Sequence, residues 1–237
     1  MNSNPHNNDN PYASALDGLE LDDPVGAFFD FCRQREEIRI KRESGEPFPW
    51  SNDPIFQRGR FLNVFREDDR GSKAIIRFSD GLEKDLPLLV QSLFFSRWCN
   101  RQETIDNLSS EILANPSQLK NDMEKIKPWC NYNAYPVESL VWEGKKYSRL
   151  ESATILFEKI KEPLSQIILN ADGDVIKATA AVNEQFKMKN DFPIFMAVID
   201  LAWFRPDVID PASPVPTGIG AVAYLNRLEK HLGFSNH

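Results

Sequence analysis

The run PIFMAVIDLAWF, residues 193–204, is apolar on every side of a helical wheel, and its one charge is Asp200. A helix with no polar face has to be wrapped by other elements. The chain must therefore supply several further helices to bury it. A carboxylate in that setting has to be ion-paired, hydrogen-bonded or protonated. Asp200 is thus either the structural partner of an arginine or a functional carboxylate at the bottom of a cleft.

Other segments supply the wrapping. Leu82, Leu86, Leu89, Val90, Leu93, Phe94 and Trp98 mark a core helix over about 83–99, with Arg97 among apolar neighbours. An arginine there calls for an acidic or carbonyl partner, or a bound anion. Asp22-Asp23-Pro24 reads as a cap followed by proline in a first turn. Val25, Phe28, Phe29 and Cys32 then follow at amphipathic helical spacing. Arg35, Arg39 and Arg42 continue that helix as a basic stripe, either solvated and paired with Glu36 and Glu37 or facing phosphate.

Shorter helices are expected over 102–114 and 116–127, and KAIIRF (73–78) is too short to type. An amphipathic helix over 150–169 should be kinked or ended by Pro163. Another is expected from about 174 to 187, after the Asp172-Gly173 turn. Val141 to Tyr147, around Glu-Gly-Lys, reads as a small hairpin. In PVPTGIGAVAYLNRL, Gly218 and Gly220 let the chain turn tightly into a helix. That turn is either a plain helix start or a set of N–H groups for a phosphate.

The fold class that follows is all-α: a single helical domain over 23–237 with one small β-hairpin. A tail, residues 1–22, is rich in Asn, Asp, Ser and Pro and is expected to be disordered. No apolar run approaches the roughly 20 residues of a membrane span, and no signal-peptide pattern opens the chain. A cytoplasmic protein with no membrane partner is expected. Three histidines, at 6, 231 and 237, and three scattered cysteines leave no zinc spacing and no histidine-based triad. Neither a metal nor a cofactor is expected. A net charge of −7 argues against simple coating of nucleic acid. It leaves room for an enzyme acting on DNA through a local patch of positive charge.

The stretch KRESGEPFPWSNDPIFQRGRFLNVFREDDR, residues 41–70, is the part that looks built for chemistry. The residues preceding Pro47, Pro49 and Pro54 are pushed out of the α region, so 43–54 reads as a rigid loop. Asp53 would cap a helix at Pro54. From Arg60 the helical period puts Phe61, Val64, Phe65 and Asp68 on one face, and Arg60, Asn63, Glu67 and Arg70 on the adjacent one. Such a helix is either a wall between core and polar cleft or an ordinary solvated face.

Gly45, Pro47, Pro49, Trp50, Asp53, Pro54, Arg60, Phe61, Asn63, Val64, Arg66, Glu67, Asp69 and Arg70 together form a block that resembles the signature of a family from phage DNA-hypermodification clusters. That family includes the amino acid:DNA transferases, also called α-glutamyl/putrescinyl-thymine pyrophosphorylases. A related helical domain accompanies hydroxymethyl-deoxyuridine DNA kinases. The likeness is dense over the block and looser in FMAVIDL and GIGAVAYL. Family members typically carry Gly-Pro-Gly-Ala where this chain has Gly218, Ile219, Gly220 and Ala221.

The resemblance implies an all-α fold remotely like the helix-hairpin-helix DNA glycosylases. It implies a transferase that replaces the phosphate or pyrophosphate on 5-hydroxymethyluracil in DNA, installed by a separate kinase. The incoming group is an amino acid or polyamine (glycine, glutamate, serine or putrescine), and the hypermodified thymidine protects phage DNA from restriction. On that reading Lys41, Arg42, Arg60, Arg66, Arg70, Gly218 and Gly220 hold phosphate or DNA. Glu67, Asp69 or Asp200 takes the amine's proton. Trp50 stacks the flipped base, and Asn63, beside Asp53, reads its edge. Cys99 or Cys130 is a less favoured candidate for addition to the ring. Kinase activity is not expected, since the sequence lacks a G-x-x-x-x-G-K-[ST] loop. A glycosylase using Asp200 and a non-catalytic DNA-binding module are the alternatives.

Overall fold

The computed structural model describes residues 22–59, 61, 63–133, 139–217 and 219–233. Apart from Asp22, the expected tail lies outside the described residues, as do Arg60 and Gly218. The protein is all-α, with one two-stranded sheet among the described residues. It divides into two compact units, one formed by Glu67–Val215 and the other by Met1–Arg66 with Pro216–His237.

Acidic and amide caps set the helix starts. Asp23 accepts from the Gly26 N–H at 2.8 Å and opens α1, Pro24–Glu43. Asp53 accepts from Ile55 N at 2.7 Å and opens α2, Pro54–Arg58. Asp69 accepts from Ser72 N at 2.9 Å and opens α3, Arg70–Ser79. Asp85 does the same for α4, Leu86–Cys99, which is followed by α5, Gln102–Asp106. Asn115 caps α6, Pro116–Lys125. Each such side chain satisfies an N–H that the helix itself cannot.

Among the described residues of 60–70 the expected single helical stripe does not form. Gly59 leaves α2 with an extended ψ of 151°. The chain next turns in a 3₁₀ segment, Arg66–Asp68, and α3 starts only after the Asp69 cap. KAIIRF belongs to α3. The expected 102–114 helix is α5 followed by a separate 3₁₀ turn, Ser110–Ala114.

β1 (Leu140–Trp142) and β2 (Lys145–Tyr147) pair antiparallel, with Trp142 opposite Lys145. Glu143 and Gly144 both have positive φ, 47° and 75°, as a tight turn matched to the strand twist requires. A short helix, α7 (Arg149–Glu151), a π turn (Ser152–Leu156) and α8 (Phe157–Leu169) then run on as one rod. Pro163 does not end it. Pro163 and Lys159 are both exposed, so water reaches the Lys159 carbonyl that loses its donor. α9 (Val175–Phe186) and α10 (Phe192–Phe204) complete this unit.

Its core is organised around α4, in which Leu89 to Cys99 are all buried. α8, α10 and the π turn pack on it. Trp98 meets Phe157 edge-on at 4.9 Å, and Phe186 bridges this cluster to Trp142. The all-round burial expected of 193–204 is realised by α4 instead. α10 buries Ile194, Ala197, Val198 and Leu201 but leaves Trp203 54% and Phe192 44% exposed. Asp200 points inward. Its carboxylate takes both Nε (2.5 Å) and Nη2 (2.8 Å) of Arg97, and the two residues are 6% and 3% exposed.

In the other unit, α11 (Ile219–Leu232) packs on α1. The Tyr224 hydroxyl donates to the Pro24 carbonyl, and its ring meets Phe28. The expected apolar face of α1 is not a core: only Pro24 is buried, and Phe28 and Phe29 are 44% and 65% exposed.

The buried pair sets a stability test. Arg97→Met or Asp200→Leu alone strands one charge and should cost about 3–5 kcal/mol, whereas the double substitution should recover most of that loss. Urea unfolding of the three variants, read by circular dichroism, checks this.

Candidate functional site

The C-terminal half of α1 sets Arg35, Ile38, Arg39 and Arg42 at spacings that share one helix face. At its end the chain reverses through Gly45, whose φ of +80° suits glycine. The Glu46 N–H donates to the Lys41 carbonyl at 3.0 Å as the loop folds back. Two bonds then fix Trp50. Its Nε1 donates to the Glu46 carbonyl at 2.8 Å, and Lys41 Nζ donates to the Trp50 carbonyl at 3.2 Å. With the indole N–H satisfied, what the ring has left to offer is its faces. Gln57 Nε2 donates to the Ser51 carbonyl at 2.8 Å and ties α2 to the same loop.

These elements enclose a cavity of about 240 Å³ lined by the α1 face, Phe48, Trp50, Phe56, Gln57, Gly59, Phe61 and Asn63. A cavity of about 150 Å³ holds benzene, so this one accommodates a substituted six-membered ring. Phe56 and Phe61 form one aromatic wall, backed by Phe31, with the three ring centroids 5.2 to 5.8 Å apart. The Arg35 guanidinium lies over Phe31 at 5.3 Å and over Phe61 at 6.0 Å. Phe48 meets Trp50 edge-on at 5.4 Å.

Arg39 is held between Glu36 (Nε at 2.9 and 3.1 Å) and Glu43 (Nη1 at 2.7 Å). The bonds from Arg39 keep the Glu36 carboxyl below its ordinary range. Arg42, in the last turn, is exposed. Among the described residues that line it, none is a carboxylate. The arrangement can stack a planar ring, hydrogen-bond its edge through two amides and attract an anion.

The structure thus brings Trp50, Asn63 and Arg42 together. Lys41 holds the Trp50 carbonyl and Asp53 caps α2, so both bear on the loop's shape. Arg66 is half-buried on the 3₁₀ turn, and Gly220 lies in the first turn of α11. Glu67, Asp69, Arg70 and Asp200 belong to the other unit. There Glu67 and Arg70 are exposed, Asp69 caps α3 and Asp200 is buried against Arg97.

Sequence reasoning saw the arginine stripe but did not place Arg35 or Arg39 at the site, and it missed Gln57, Phe48 and Phe56. The stripe's spacing was the available signal. The other residues meet only because the loop folds back. Among the described residues no group of His, Cys, Asp and Glu could hold a metal, and no helix is long and apolar enough to cross a membrane.

Residues 23–233 match the family model described as 5-hmdU DNA kinase, helical domain. The chain belongs to this family. No curated protein and no solved structure matches it. Membership in the 5-hmdU DNA kinase helical-domain family ties the chain to DNA modification, and the match spans both units. The 237 residues contain no phosphate-binding G-x-x-x-x-G-K-[ST] loop.

The cysteines suggested for ring addition sit in the larger unit. Cys99 is buried and its thiol donates to the Trp129 carbonyl at 3.0 Å. Burial pushes this thiol up to about 12, and pushes Cys130 up as well. A thiolate nucleophile is therefore scarce at neutral pH.

Two tests follow. A Cβ at Gly59 would lie 2.5 Å from Phe61 Cζ and 2.9 Å from the Ile55 carbonyl oxygen. Gly59→Ala should displace Phe61 from the wall and cost about 1–3 kcal/mol, seen in thermal unfolding. For Cys99, the unfolded thiol ionises near its ordinary 9.0 while the folded one stays protonated to about 12. Its contribution to stability is complete below pH 9 and is lost as pH rises towards 12. Cys99→Ser should flatten that part of a stability–pH curve.

Proposed function

We propose that this protein is a DNA-modifying transferase acting on phosphorylated 5-hydroxymethyluracil in DNA. The observation that carries the reading is the convergence of Arg35, Arg39, Arg42, Trp50 and Asn63 on one cavity of base size. Family membership supports it by connecting the chain with 5-hmdU DNA kinase.

In this reading the modified nucleotide leaves the stack and lies against Trp50. The arginine face draws the phosphate or pyrophosphate and lowers the cost of its departure. The C–O bond to the leaving group breaks, a C–N bond to an amino acid or polyamine forms, and the amine gives up a proton. Asp69 and Asp200 are committed to the fold as a cap and an ion-pair partner, so neither is assigned as the base. The phosphorylated substrate comes from a separate DNA kinase.

A second reading rests on the family description itself, which is of a domain of a kinase. The same cavity would then hold the base for phosphoryl transfer performed elsewhere.

The test is nucleoside mass spectrometry. Hydroxymethyluracil DNA is treated with a cognate kinase and ATP, then with this protein and a pool of amino acids and polyamines. A new nucleoside heavier than thymidine by one amine substituent is the expected product. Arg42→Met, which removes a cation from the cavity lining, should lower its yield by about 10-fold or more. Free base would indicate a glycosylase. Unchanged phosphorylated nucleoside, with folded protein bound to DNA, would favour the binding module.

A further inference from the structure

One member of the cavity wall lies mostly outside the cavity. Phe48 lines it yet is 60% exposed, so its ring stands at the mouth. The bond from Trp50 Nε1 to the Glu46 carbonyl closes the chain into a tight turn, and Phe48 is at the middle of that turn. Pro47 and Pro49 flank it, and each proline ring fixes its own φ, so the turn has few ways to move. Among the described residues Phe48 meets one other ring, that of Trp50, edge-on at 5.4 Å. A side chain of this size ordinarily spends its surface on packing. Here the backbone is held while most of the ring stays in water.

We infer that Phe48 is the wedge that enters the DNA stack when the target nucleotide is drawn into the cavity. The inference rests on the reading that the cavity takes a flipped base from DNA. Flipping breaks the base's pairing and its stacking on both neighbours, and it leaves a gap in the duplex. The mouth through which the base enters faces that gap, so a side chain at the mouth is well placed to reach it. Apolar side chains, phenylalanine among them, insert between base steps in this way. An exposed Phe48 ring leaves water as it inserts, and that burial offsets part of the cost of unstacking. Its backbone is already fixed, so little freedom is lost on binding. The two rings then divide the work: Trp50 receives the base, and Phe48 takes the place it left. A single strand has no paired stack to fill, so the wedge acts on duplex alone.

The test uses the full chain and oligonucleotides with one central 5-hydroxymethyldeoxyuridine phosphorylated on its hydroxymethyl group. Single-stranded and duplex forms are compared by fluorescence anisotropy, and the quantity read is the ratio of duplex to single-strand affinity. Phe48→Ala should lower that ratio by about 10- to 100-fold. Phe48→Leu, which keeps an apolar wedge, should hold it within about threefold of the wild type. An equal loss on both forms in Phe48→Ala is what a plain wall residue would give, and it overturns the inference. So does a wild type that does not bind the duplex. If Phe48→Ala does not fold, Phe48→Gln, which keeps the bulk and loses the apolar surface, is read by the same ratio. Trp50→Ala and Arg42→Ala separate the two levels of the argument. If they weaken binding of both forms while the ratio ignores Phe48, only the wedge falls. If they leave binding of both forms unchanged, the cavity is not the DNA site, and the proposed function loses its site along with this inference.

Discussion

A charge buried without a partner costs several kcal/mol, and the larger unit contains one on each of two helices. Arg97 on α4 and Asp200 on α10 cancel each other through two parallel hydrogen bonds, although 103 residues of chain separate them. The consequence is mainly one of register. The apolar contacts between α4 and α10 would tolerate a slip by a turn. The pair would not, because any slip strands both charges. Around that fixed crossing the aromatic cluster of Phe94, Trp98, Phe157 and Phe186 closes, and α8 and α9 follow.

How much of this was readable from the sequence depends on the range of the interaction. Caps such as Asp23-Pro24 and Asp53-Pro54 act over three or four residues, and they stand where the sequence puts them. The Glu143-Gly144 turn is equally local. Periodicity was less faithful. It gave α1 an apolar face, but Phe28 and Phe29 remain largely exposed, since a pattern states which residues face one way and not what covers them. It also joined Arg60 to Arg70 into one helix, whereas Gly59 leaves α2 extended, Arg66–Asp68 form a 3₁₀ turn and a new cap at Asp69 opens α3. For the run 193–204, composition demanded burial on all sides, but α4 holds the centre and α10 lies beside it.

The candidate site divides in the same way. Trp50, Asn63 and Arg42 stand out as residue types in a dense block, and the cavity gathers them. Gln57 does not stand out, because its tie to the loop runs through the Ser51 main-chain carbonyl. Much of the wall is arranged by main-chain groups: Glu46 and Ser51 carbonyls accept from Trp50 and Gln57, and Lys41 reaches the Trp50 carbonyl. Side chains held this way lose little further freedom when a ligand arrives, which favours affinity.

The contact between Tyr224 and Pro24 joins two points 200 residues apart, within the unit that carries the cavity. At about 5–20 residues per second, a ribosome needs roughly 10–40 s to cover that distance. For that interval α1 has been made but α11 has not, while the whole of the larger unit emerges and can fold. The cavity-bearing unit is thus the last to gain its full set of contacts, and Phe28 waits without the Tyr224 ring that meets it in the finished fold. In a cell, the moment of synthesis is when this protein most needs protection from early encounters.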